Sequence, residues 1–149
     1  MKLTMFYDSS CTLCRSEAMS LWHLSGGDII IISVSDGQDE LAQAGISYQE
    51  AMTHLCVKDE WGAWYKGMEA VRVLYKTANI RLFGVGAFWL FDLPVIYALL
   101  NIAYPYFAKR RHLIPAYLVK WWYGAVYDVK LNKINGLCDT GNCYIYPKP

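Results

Sequence analysis

The sequence predicts an α/β fold: a four-stranded mixed sheet flanked by helices, with an added aromatic-rich helical part toward the C-terminal end. Three observations predict it. A short apolar run, Leu3 to Tyr7, leads through turn residues into a helical pattern. An unbroken isoleucine run, Ile29 to Ile32, follows that helix as a second strand. Two more β-prone segments, His54 to Lys58 and Ala63 to Lys66, flank a turn-rich linker, and a further helical pattern comes after them.

In the first segment Leu3, Met5 and Tyr7 alternate with Thr4 and Phe6, as in a buried strand. Asp8, Ser9 and Ser10 supply turn and N-cap chemistry, and Cys11-Thr-Leu-Cys14 opens a helix. Cys14, Ala18, Leu21 and Trp22 fall at helical spacing to about Leu24, and Gly26-Gly27 stops the helix. The isoleucine run shows no alternation, as expected of a strand covered on both faces. It completes a β–α–β unit with a right-handed crossover. Ser35 to Glu40 reads as a polar loop, and Ser47-Tyr-Gln-Glu50 as a capping box for a short helix through Ala51 and Met52. Asp59 to Gly62 turns a hairpin, and Gly67 begins a helix that buries Val71, Leu74, Tyr75 and Ala78.

The order β-α-β-α-β-β-α is that of a thioredoxin-like fold, expected here over residues 1–79. Residues 80–128 are expected to be a helical extension packed on that core within the same domain. Asp92 and Pro94 suit the start of a buried helix, Leu93 to Tyr104, which Pro105 interrupts. Ala116 to Asp128 is a last aromatic helix, and residues 129–149 form a tail holding Cys138 and Cys143.

The chemistry is concentrated between Asp8 and Cys14. Two thiols one helical turn apart can form a disulfide with little backbone movement. Cys11, at the helix start, meets unpaired N–H groups and the positive end of the dipole, which favour a thiolate. Cys11 is therefore expected to be exposed and to attack a substrate disulfide, and Cys14, further in and more buried, to resolve the mixed disulfide. Asp8 is either a tie that shapes the turn or a partly buried carboxylate that relays a proton to or from Cys14. Arg15 either adds positive charge near the thiols or, as is more common for a first-turn Arg, is solvent-exposed.

A zinc site would need two more ligands, from Cys138 and Cys143 or from His23, His54 or His112. The strand before the CxxC and the helix after it favour redox chemistry instead, with no cofactor and no metal. Cys56 reads as a small buried hydrophobe. Cys138 and Cys143 are either a second disulfide that passes electrons to the first pair or two thiols in a tail.

Phe6-Tyr-Asp-Ser-Ser-Cys-Thr-Leu-Cys14 resembles the signature of the DCC thiol-disulfide oxidoreductases, roughly aromatic-Tyr-Asp-Gly-x-Cys-x-x-Cys near the N-terminus. The resemblance falls on Asp8, Cys11 and Cys14, with Ser9 where the family usually has Gly. It extends to about Pro115, taking in Gly67 to Ala70 and the aromatic helix that ends in a basic run, Tyr104 to Arg111. It implies attack by Cys11, resolution by Cys14 and a signature role for Asp8. Thioredoxins in general place a cis-proline before the third strand, facing the disulfide, where it helps bind the substrate backbone. That place falls near Met52-Thr53, which holds no proline, so the resemblance does not extend to a general protein reductase.

Composition narrows the remaining classes. With 149 residues, 55 % of them hydrophobic and 18 % charged, the chain is a single domain with a generous core. A formal net charge of +1 leaves no basic surplus for phosphates and excludes nucleic acid as the default partner. The start lacks a basic n-region and an apolar h-region, and five cysteines are an odd number; both lead to the expectation of a reducing cytoplasm. Between Leu82 and Ala108 the only charge is Asp92, but Gly and Pro divide the stretch below the ~20 apolar residues that a membrane span needs. Lys109-Arg110-Arg111 either ends a helix in solvent or aids peripheral membrane contact.

The expected function is thus thiol-disulfide exchange on a protein or small-molecule disulfide, with an external reductant. A non-catalytic interaction or membrane-adjacent module and a small zinc protein are the alternatives.

Overall fold

The structure, a computed structural model, describes residues 1–78, 81–82, 85–86, 93–115, 117–118 and 121. Its elements are β1 (Leu3–Tyr7), α1 (Thr12–Leu24), β2 (Ile29–Ser33), α2 (Gln38–Gln43), α3 (Tyr48–Thr53), β3 (Cys56–Asp59), β4 (Trp64–Lys66) and α4 (Met68–Thr77). A two-stranded ladder, β5 (Arg81–Leu82) with β6 (Val85–Gly86), precedes α5 (Pro94–Arg110), which runs into a 3-10 turn, Arg111–Leu113.

The four-stranded sheet has the order β2-β1-β3-β4. β1 pairs parallel with β2, Leu3 against Ile29 through Tyr7 against Ser33, and antiparallel with β3, Leu3 against Asp59 through Phe6 against Cys56. β3 pairs antiparallel with β4. This is the mixed, thioredoxin-like sheet that the element order predicts. The parallel pair demands a crossover, and α1 supplies it.

Strand periodicity sorts the side chains of β1 onto two cores. Leu3, Met5 and Tyr7 join Ile29, Ile31 and Val57 beneath Ala18, Met19 and Leu21 of α1 and Ala70 and Leu74 of α4. Phe6 joins Val34, Leu41, Ile46, Ala51 and Cys56 on the α2–α3 side, and its ring stacks on Trp64 at 5.3 Å. In the edge strand β2, burial alternates between complete and partial, so the isoleucine run is fully covered on one face only.

Three elements differ from the sequence expectation. The polar loop Ser35 to Glu40 gives way to α2 at Gln38, a helix of six residues with Leu41 as its buried anchor. One apolar residue in so short a polar segment leaves no readable periodicity. The extension opens with the β5–β6 ladder rather than a helix. The helix expected to stop at Tyr104 continues through Pro105 to Arg110. Proline removes the hydrogen bond to the carbonyl four residues back, and Asn101 is exposed, so solvent can serve that oxygen. Asp92, most of Ala116 to Asp128 and the tail cysteines, for which the sequence carries expectations, lie outside the described residues.

α5 is tied to the core in two places. Gly67, which lies between β4 and α4, has φ +60, a left-handed conformation that favours glycine, and the Tyr104 ring stands 3.4 Å from where its Cβ would be. The Tyr104 hydroxyl accepts the Leu55 backbone N–H at 3.0 Å, and its ring stacks on His54. Among the described residues no helix is long and apolar enough to cross a membrane.

Candidate active site

The site is built where β1 ends. The chain must turn there from strand to helix, and Asp8 makes the turn: its Oδ1 accepts the Ser10 backbone N–H at 2.9 Å and the Ser10 hydroxyl at 2.6 Å. The Asp8 carbonyl accepts the Cys11 N–H at 3.3 Å. Cys11 itself is the N-cap residue of α1, in extended conformation, and its carbonyl accepts the first helical bond from Arg15. Its sulfur takes the role that a cap oxygen usually plays, accepting the Cys14 backbone N–H at 3.4 Å. The Cys14 thiol donates to the same sulfur across 2.8 Å. Asp8, Cys11 and Cys14 thus meet at one helix start.

Burial departs from the expected order. Cys11 is only 2 % exposed, whereas Cys14 is half-buried. Helix position predicts access only if nothing packs over the helix start, and here the 3-10 turn after α5 lies against α1. The first thiol is therefore not an exposed one. Arg15 is exposed, as expected.

That turn delivers a residue which sequence reasoning placed in a solvated basic run. Lys109 and Arg110 are exposed, but Arg111 is buried at 8 %. Its Nη2 donates to Asp8 Oδ2 at 3.3 Å and to the Met52 carbonyl. One guanidinium therefore ties the CxxC turn to the segment ahead of β3. Tyr104, Ala108 and Arg111 recur at three- and four-residue spacing, the face that α5 turns to the core; that spacing was the available signal.

A cavity of about 90 Å3 opens beside Cys14, between α1, α4 and α5. Leu13, Leu55, Val71 and Phe107 supply apolar walls, and Asp8 and Arg111 line its polar side. The hydrogen bond that Cys14 donates to Cys11 drives its pKa far above the ordinary thiol value, and burial adds to that. The Arg111 guanidinium opposes the shift, while the Asp8 carboxylate reinforces it. The hydrogen bond and burial thus favour the protonated form of the Cys14 thiol.

Among the described residues no group of three or more His, Cys, Asp and Glu can hold a metal ion. Cys138 and Cys143, the proposed additional ligands or second disulfide, lie outside them.

Residues 5–116 match the description of the DCC1-like thiol-disulfide oxidoreductases. The chain belongs to that family. The match takes in the sheet from Met5 onward, the CxxC turn, α5 and the 3-10 turn with Arg111. The family's general activity is thiol-disulfide oxidoreduction. Comparison with curated proteins and with solved structures gives no match.

The remaining described thiol, Cys56, stands apart from this chemistry. It is fully buried in β3, and burial pushes its pKa up to about 11. Native protein treated briefly with iodoacetamide at neutral pH should carry no label on Cys56. Label should appear there only as the pH approaches 11 or the protein unfolds, and peptide mapping reads the difference.

Proposed function

We propose that the chain carries out thiol-disulfide exchange through Cys11 and Cys14, with Cys11 attacking and Cys14 resolving. The observation that carries this reading is the pair of hydrogen bonds converging on Cys11 Sγ, one from the Cys14 N–H and one from the Cys14 thiol. Donors aimed at one sulfur favour its charged form, and the donating thiol keeps its proton.

The step balances as follows. The Cys11 thiolate attacks one sulfur of a substrate disulfide, forming a mixed disulfide and expelling one thiolate. That thiolate takes the Cys14 proton. The Cys14 sulfur then attacks Cys11 Sγ, forming the Cys11–Cys14 disulfide and releasing the second thiolate, so the dithiol has given two electrons to the substrate. An external reductant returns the pair to the dithiol, which suits a reducing compartment such as the cytoplasm. Asp8 serves as a positioning residue: its two oxygens are held by Ser10 and Arg111, which favours the turn-shaping role over the proton relay. No cofactor or metal takes part in this reading.

A redox titration tests it. After equilibration in dithiol–disulfide buffers and acid quenching, mapping should reveal one Cys11–Cys14 disulfide titrating as a two-electron couple, ~30 mV per tenfold change. If no such disulfide forms in even the most oxidising buffer, the proposal is wrong.

One observation favours a second, compatible reading, peripheral membrane contact. Val95, Leu99, Ile102 and Tyr106 form an exposed apolar stripe on α5, with exposed Lys109 and Arg110 after it. Co-flotation with anionic but not neutral vesicles is the expected result.

A further inference from the structure

The segment just ahead of β3 is tied to the CxxC turn through Arg111, which donates to Asp8 and to the Met52 carbonyl. An extended polypeptide substrate would need its N–H and C=O groups, since main-chain pairing is how such a substrate gains affinity at a sheet. The chain has already used them. The Met52 carbonyl accepts from Arg111. The His54 N–H goes to the Glu50 carbonyl at 2.8 Å, the Leu55 N–H to the Tyr104 hydroxyl at 3.0 Å, and the Leu55 carbonyl accepts from Gly67 at 2.8 Å. Two of these four partners, Tyr104 and Arg111, come from α5 and the turn after it.

What stays open is the cavity beside Cys14. At about 90 Å3, with one water needing ~10–15 Å3, it has room for roughly half a dozen heavy atoms. It is also lined by Arg111. Arg111 Nε is buried and, among the described residues, is the buried side-chain polar atom that has no hydrogen-bond partner. A guanidinium N–H out of water costs free energy until an acceptor reaches it.

We propose that the site takes a low-molecular-weight disulfide whose short tail carries an oxygen acceptor for Arg111, and excludes extended polypeptide. The proposal rests on the thiol-disulfide reading above and names its substrate class. The tail lies in the apolar cavity with its carboxylate or carbonyl oxygen toward the Arg111 guanidinium, and the disulfide lies beside the Cys14 sulfur, 2.8 Å from Cys11 Sγ. The electron balance is the one already given, and in a single turnover the pre-reduced pair is the reductant.

The test mixes reduced full-length protein with 3,3′-dithiodipropionate, cystamine or a short peptide closed by one disulfide. Loss of the Cys11 and Cys14 thiols is followed by quenched alkylation, and each rate is divided by that of dithiothreitol with the same disulfide. Dithiodipropionate should react roughly tenfold faster than either cystamine or the peptide on that normalised scale, the size of one charge-assisted hydrogen bond. Tyr104→Phe, which frees the Leu55 N–H, should raise the peptide rate several-fold relative to the dithiodipropionate rate. Equal normalised rates for peptide and dithiodipropionate, or for cystamine and dithiodipropionate, would overturn the inference, as would an unchanged ratio of peptide to dithiodipropionate rate in Tyr104→Phe. If none of the three disulfides oxidises the pair, the thiol-disulfide reading itself has failed.

Discussion

Cys11→Ser should abolish exchange, lowering the rate by on the order of a thousandfold or more, because a serine hydroxyl at neutral pH is neither ionised nor comparably nucleophilic. Cys14→Ser should behave differently. The attacking sulfur remains, so the first step proceeds and stops at a mixed disulfide on Cys11. On a non-reducing gel or by intact mass, Cys14→Ser should carry a reductant-sensitive adduct and Cys11→Ser should carry little. The Cys14 thiol also donates to Cys11 Sγ, beside the Cys14 backbone N–H. Serine keeps a hydroxyl donor at that position and alanine does not, so adduct formation should need a somewhat higher pH in Cys14→Ala than in Cys14→Ser. Adducts that form equally in wild type and both variants, and that reductant does not release, would mark a binding module and end the enzymatic reading.

The second large effect concerns Arg111. Arg111→Met removes the cation from a pair in which the Asp8 side chain is 1 % exposed. Breaking such a pair costs about 3–5 kcal/mol, a large share of the ~5–15 kcal/mol that stabilises a domain of this kind. The Met52 carbonyl loses its donor in the same variant. Urea unfolding followed by circular dichroism should therefore show a much lower midpoint. Asp8→Asn should recover part of the loss in the double variant, because the buried charge is gone.

A kinetic sign distinguishes this from stability alone. Arg111 is what lowers the Cys14 pKa against the hydrogen bond and burial that raise it. Without the guanidinium that pKa rises further, so resolution of the mixed disulfide should shift to higher pH. Arg111→Lys should restore part of that shift even if it does not restore the midpoint. A variant with an unchanged midpoint and an unchanged pH profile would remove Arg111 from the site.

Much of the local structure was legible in the sequence because it is set by neighbours in the chain. The alternation in Leu3 to Tyr7, the Gly pair after α1, the cap at Ser47, whose hydroxyl accepts the Glu50 N–H, and the hairpin turn all act within a few residues. The thioredoxin-like order follows from those elements, and the CxxC at a helix start carries the family resemblance that the match over residues 5–116 bears out. The sequence by itself thus determined the fold class, the family and the place of the two thiols.

Tertiary structure decided what surrounds them. Asp8 and Arg111 lie 103 positions apart, and Leu55 and Tyr104 lie 49 apart, distances over which no periodicity carries information. Lys109, Arg110 and Arg111 have the same side-chain chemistry to a sequence reader; only the docking of α5 and its turn against α1 buries the third and leaves the others in water. The same docking covers Cys11, which a helix start alone predicts to be open. It also lets α5 run through Pro105, since packing of Tyr104 and Ala108 on the core offsets one lost backbone hydrogen bond. Burial depends on what arrives from elsewhere in the chain, and so does the charge that tunes a buried thiol.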